Sequence, residues 1–145
     1  ESAKEMFDKE AKFSKKAQEE LAVFTKSIVD ILEASVKVFC EEDLELAKKV
    51  EPMEECIDYL SEEMKKRHVK RLRKGKCTIE MGFVLSDITT NYERVSDHCS
   101  NVAICLLQLN EEGFDTHEYQ GAYFGKGNEE YEDEVRRLRE YYALP

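Results

Sequence analysis

Nine positions in the second half of the chain decide most of what it can fold into. Met81, Leu85, Ile88, Tyr92, Val95, Cys99, Val102, Leu106 and Leu109 recur in alternating steps of four and three residues. That spacing draws one apolar stripe along a long helix, and the stripe has to be covered by other helices. Between these positions stand Thr89, Thr90, Asn91, Ser96, Asp97, His98, Ser100 and Asn101. Such residues compete for backbone hydrogen bonds or lose rotamer freedom in a helix. A helix built for stability alone would carry Glu, Lys, Gln or Ala instead, so the face away from the stripe is expected to serve another purpose.

The same stepping appears twice more. Leu21, Phe24, Ile28, Ile31, Ser35 and Val38 mark a first helix over 2–40, extended backwards by Ala17 and Phe7. Leu46, Val50, Met53, Ile57, Leu60 and Met64 mark a second over Leu44–Arg73, and the nine-position stripe lies on a third over Thr78–Leu109. The acidic break Glu41-Glu42-Asp43 suits the positive end of the helix that follows it. Pro52 falls inside the second pattern and is expected to kink that helix or shift its start. Gly75 is expected as the residue just past its end. Residues 113–127 are richer in glycine and aperiodic, and Glu129–Tyr142 regains helical character with acids early and arginines late. Short connections favour antiparallel neighbours. The expected fold is therefore all-α. An up-down-up antiparallel three-helix bundle fills 1–112, and an irregular aromatic tail plus a short C-terminal helix fills 113–145. Tyr119, Tyr123, Phe124, Tyr131, Tyr141 and Tyr142 are expected to pack that tail on the bundle, with a docking peptide as the alternative.

A formal net charge of −10 argues against nucleic acid as a partner, since phosphate neutralisation needs a basic face. No run approaches the roughly 20 apolar residues that cross a bilayer, so a soluble piece is expected. The five cysteines, Cys40, Cys56, Cys77, Cys99 and Cys105, are odd in number and lack a Cys-x-x-Cys pair. They read as reduced thiols, several of them small core hydrophobes. No phosphate-cradling glycine loop, no nucleophile with a placed base and no zinc hydrolase motif is present, so no enzyme is expected.

Carboxylates carry the chemistry that remains. Glu54 and Asp58 stand four apart on the second helix with Glu51 one turn before them; Glu93, Asp97 and Asn101 repeat the step on the third. Residues four apart share a helix face and can offer two carboxylates to one cation. Placed on the helices, the third-helix stripe points away from the apolar seam and the second-helix stripe lies beside it, which makes both surface features. A buried di-iron centre needs Glu-x-x-His pairs facing inward. The residues three before His68, His98 and His117 are Lys65, Val95 and Phe114, so that reading fails.

At this point the residues resemble a known family. Glu93-Arg94-Val95-Ser96-Asp97-His98-Cys99-Ser100-Asn101-Val102-Ala103 is similar to the last-helix signature of a PhoU domain. Val50-Glu51-x-x-Glu54-x-x-Ile57-Asp58-x-Leu60 resembles the second-helix signature, and Glu42-Asp43 sits at the family's acidic turn. The likeness covers about Ser14 to Leu109, one three-helix repeat. It is greatest to the single PhoU domain at the cytoplasmic C-terminus of bacterial sodium-dependent phosphate cotransporters, including the Phe114–Tyr119 stretch. A start at Glu1 fits a piece of such a transporter.

The resemblance implies a metal ion, divalent or trivalent (iron, zinc, magnesium or manganese), held by Glu54, Asp58, Glu93 and Asp97, with Glu51 and Asn101 behind them. Oxygen ligands favour the harder ions, and His98 is the one nearby nitrogen. The same resemblance implies regulation of phosphate uptake at the cytoplasmic face of the inner membrane through docking to the transporter's membrane domain, and a homodimer that restores a six-helix arrangement. A stand-alone phosphate-signalling adaptor and a metal-free helical interaction module are the alternatives. The basic run over 65–76 is expected either to meet a membrane surface or simply to complement its helix dipole.

Overall fold

The computed structural model describes residues 12–110 and 128–145. They form four helices and, among the described residues, no strand: α1 Lys15–Glu41, α2 Leu44–Arg73, α3 Ile79–Asn110 and α4 Glu129–Tyr141. The all-helical expectation holds.

Local chemistry sets the ends. Ser14 Oγ accepts from the Ala17 N–H at 3.3 Å, so the helix expected from residue 2 begins at Lys15. Residues 1–11 lie outside the described residues. After Glu41, Glu42 takes a left-handed backbone (φ 53), and Asp43 Oδ1 caps α2 by accepting from Leu46 N–H at 3.0 Å. Pro52 is buried inside α2 and does not shift its start, because Asp43 already fixes it. At the far end Gly75 N–H reaches Leu72 O at 3.0 Å and Lys76 N–H reaches Arg71 O at 2.9 Å. This pair of bonds is the Schellman closure, and Gly75 supplies its positive φ of 63. Asp43→Ala is expected to lower the unfolding free energy by about 1 kcal/mol, read as an earlier midpoint in urea.

The three long helices pack on one another. Glu20 of α1 meets Arg67 and Arg71 of α2, while Glu51 and Ser61 of α2 meet Ser100 and Glu93 of α3. Sequence neighbours therefore run in opposite senses. Between α1 and α3 the numbers rise together, with Thr25 beside Tyr92 and Ser35 beside Cys99. Phe24, Ile31, Val38, Val50, Ile57, Leu60, Met64, Leu85 and Leu107 fill the core, where the Phe24 and Tyr92 ring centroids lie 5.4 Å apart. α4 lies on α2 and adds Leu138 and, just past its end, Tyr142 to that core. The Tyr142 hydroxyl donates to Asp30. Tyr131 is half-buried and Tyr141 exposed, whereas Tyr119, Tyr123 and Phe124 lie outside the described residues.

The stripe expected on α3 needs correction. Its early members Met81 and Leu85 are buried, yet Val102 is 38% and Leu109 77% exposed, while Ala103 and Leu107 are buried. A straight helix falls about 20° short of two full turns in every seven residues. Over four heptads the inward face moves one position along the chain. Thr89, Ser96 and Ser100, read from the sequence as facing away from the core, are also buried, because α3 packs against both α1 and α2. Thr89 and Ser96 return their hydroxyls to the carbonyls of Ser86 and Glu93, at 3.0 and 2.9 Å. On the outer side of α1, Val29, Leu32, Val36 and Phe39 form an exposed apolar stripe.

Candidate functional site

Small buried side chains on α3 let the polar edges of α2 and α3 close on each other. Ser61 Oγ donates to Glu93 Oε1, which also accepts from Lys65 Nζ at 2.9 Å. Ser100 Oγ donates to Glu51 Oε2. The Glu93 edge of α3 thus faces α2 and is half-buried, which corrects the expectation that it points away from the core. The two carboxylate stripes read separately from the sequence meet along this seam.

Their charges oppose one another. Burial, then the charges of Asp58, Glu51, Asp97 and Glu55, push the Glu54 carboxyl up to about 8. Burial also raises Asp58, helped by Glu93, Asp97 and Glu55 and opposed by a hydrogen bond with Glu54. From α4, Tyr131 faces the same acids, and burial followed by the charges of Glu51, Glu55 and Glu54 raises its hydroxyl. Lys65 pairs with Glu93 and Arg139 with Glu55 at 3.2 Å. Glu54, Asp58 and Asp97 have no ion pair among the described residues.

The structure thus brings Glu51, Glu54, Asp58, Glu93 and Asp97 to one face. Asn101 and His98 are exposed beside it, with no side-chain partner among the described residues. His68 is buried elsewhere, its ring held below the usual imidazole range by burial and then by Arg71, and a Cβ on Gly82 would lie 2.8 Å from its Nε2. His117 lies outside the described residues. No three His, Cys, Asp or Glu side chains converge on a point that could hold an ion, among the described residues. The donor set is all oxygen, and its most strained members are the adjacent pair Glu54 and Asp58. This fits a cation that keeps most of its water and takes one or two carboxylates, as magnesium does, better than zinc.

Sequence reasoning missed a second polar cluster. Glu20, 1% exposed, accepts from Arg71 Nη1 through both oxygens at 2.8 and 2.7 Å and from Arg67 Nη1 at 3.3 Å. The signal was present: Glu20 stands three after Ala17 and four before Phe24, on the core stepping of α1.

A model of the PhoU domain matches residues 24–106, an interval that holds every one of the acidic site residues. The chain belongs to the PhoU domain family. The PhoU domain described here is also 29% identical over 97 residues to a Thermotoga maritima protein, phosphate-specific transport system accessory protein PhoU homolog 1. That alignment covers 67% of this chain and 42% of the relative, so the chain spans less than half the relative's length. No solved structure matches it. No helix among the described residues is long and apolar enough to cross a membrane.

Proposed function

We propose that this PhoU domain regulates phosphate uptake, and that its α2–α3 acidic face takes up a divalent cation that alters what the domain docks to. The observation that carries the reading is the gathering of Glu54, Asp58 and Asp97 with no ion pair of their own, inside a cluster that already holds Glu51 and Glu93. Phosphate regulation is supported by the family and by the name of the Thermotoga relative.

Glu54 and Asp58 would hold the ion, with Asp97, Glu93, Glu51 and Asn101 reached through its water shell. When bound, the ion supplies positive charge that offsets the repulsion. Ser61, Ser100 and Lys65 meanwhile keep Glu93 and Glu51 oriented. With that repulsion offset, a second acidic surface can approach, which couples ion uptake to association. The docking surface we favour is the membrane domain of a sodium/phosphate cotransporter at the cytoplasmic face, with the domain as a homodimer.

The test is elemental analysis with light scattering, before and after chelation, on the parent and on Glu54→Gln/Asp97→Asn. Expected are about one metal equivalent, loss of the oligomer on chelation, and at least about tenfold weaker magnesium binding in the variant. Absence of metal together with an unchanged mass would overturn the cation role. The exposed stripe Val29, Leu32, Val36 and Phe39 favours the second reading, a metal-free helical adaptor. In that case Val36→Asp/Phe39→Asp loses partner capture while Glu54→Gln/Asp97→Asn keeps it.

A further inference from the structure

At the end of the bundle where α1 begins and α2 finishes, a groove of about 630 Å³ is lined by Lys15, Lys16, Arg67, Lys70, Arg71, Lys74 and Lys76, with Glu20 and Ser14 at its floor and rim and Pro145 along one side. Seven cations face one buried carboxylate in a chain whose net charge is −10. Lys15 reaches Glu19 at 4.0 Å, but Lys16, Lys70, Lys74 and Lys76 have no ion pair among the described residues.

Two details separate this groove from an ordinary basic helix end. The first turn of α1 carries Lys15 and Lys16 and no acid. Cations there oppose the helix dipole and leave its N–H groups beside positive charge, an arrangement that lowers stability unless an anion arrives. α4 shows the usual arrangement, with Glu129, Glu130 and Glu132 in its first turn.

The second detail is Arg71. Its Nη1 is taken by Glu20, which fixes the guanidinium plane. Its Nε and Nη2 are buried and have no acceptor, so they stand behind the groove as positive charge without opening onto it. Arg71 also lines the adjoining cavity of about 350 Å³ with Lys12, His68, Lys76 and Thr78. Arg67 Nη1 donates to Pro145 O at 2.6 Å and to Glu20 Oε1 at 3.3 Å, so it walls the groove and leaves the lysines to face a ligand.

We infer that this groove binds an anion carrying two or more phosphoryl groups, bracketed by Lys16, Lys70 and Lys74 in front of the buried Arg71 guanidinium. The breadth of the cationic lining, spread over α1, α2 and the turn after it, points to more than one phosphoryl group. The source is either a free polyphosphate or the phosphorylated headgroups of a membrane surface. The chemistry is the same, and the test tells them apart.

Calorimetry in metal-free buffer at physiological salt, with sodium tripolyphosphate as probe and sulfate as control, is paired with sedimentation on phosphatidylcholine vesicles with and without phosphatidylglycerol. Tripolyphosphate is expected to bind and sulfate not. Lys16→Ala/Lys70→Ala/Lys74→Ala is expected to weaken binding about tenfold or more, with the helical circular dichroism and a cooperative melt retained. Sedimentation only with phosphatidylglycerol, lost in the triple variant and without tripolyphosphate binding, places the phosphoryl groups on lipid. No binding in either arm, or binding that the triple variant retains, overturns the inference. The cation site on the α2–α3 face stands or falls separately, by its metal content.

Discussion

Arg71→Ala is expected to destabilise the fold by about 3 kcal/mol, the largest loss from any single surface-reaching side chain. Glu20 is 1% exposed and both its oxygens rest on Arg71 Nη1, so the truncation leaves a buried carboxylate with only Arg67 at 3.3 Å. The cost lies in that stranded charge, not in the strength of the pair. The double replacement Glu20→Leu/Arg71→Met should accordingly recover most of the loss, because an apolar pair of similar volume strands nothing. Urea denaturation of the two single variants and the double variant gives the coupling directly. A double variant as unstable as Arg71→Ala alone would show that the network holds the ends of α1 and α2 by geometry that packing cannot replace.

The second large effect is a slope in pH. An unfolded glutamate releases its proton near 4.5, whereas folded Glu54 keeps it to about 8 because of burial and then the charges of Asp58, Glu51, Asp97 and Glu55. Between those values the unfolded chain binds fewer protons than the folded one, so stability falls as pH rises through the window from 4.5 to 8. The full shift is discounted for a site partly open to water, leaving a loss on the order of 2 kcal/mol. Glu54→Gln is neutral throughout. It should therefore exceed the parent by about 2 kcal/mol at the upper end of the window and match it at the lower end. Asp58, also raised, adds a slope of the same sign. Thermal melts across the window check this, and equal slopes in both proteins would show that Glu54 is fully solvated.

Much of the fold was legible because its signals were local. The seam positions Phe24, Ile28, Ile31, Ser35 and Val38 are all buried, Gly75 ends α2, and the break at Glu42-Asp43 caps the next helix. What failed was rotation. A strict heptad read along α3 predicts Val102 and Leu109 inside, but the helix turns enough to put Ala103 and Leu107 there instead. The same rotation turned Glu93 toward Ser61 and Lys65, a contact no single-helix pattern shows. The acidic residues themselves were found, since spacing on one helix is visible in sequence. Their mutual repulsion depends on how two helices face each other, and so does the pairing of Glu20 with Arg71.

The cysteines of this chain already make a reporter set. Cys40 and Cys105 are exposed near the ends of two helices that run in the same sense, and along α1 the first lies about 36 Å from Lys16. A fluorophore on either thiol sits at the opposite end of the molecule from the cationic groove and leaves it untouched. Cys56 and Cys99 are buried and their thiols are raised by burial, Cys56 to about 11, so they resist alkylation. Cys77 is half-buried on the wall of the cavity that adjoins the groove. Its rate of alkylation therefore reads the occupancy of that end of the protein, with the two distal thiols as an internal standard in the same chain.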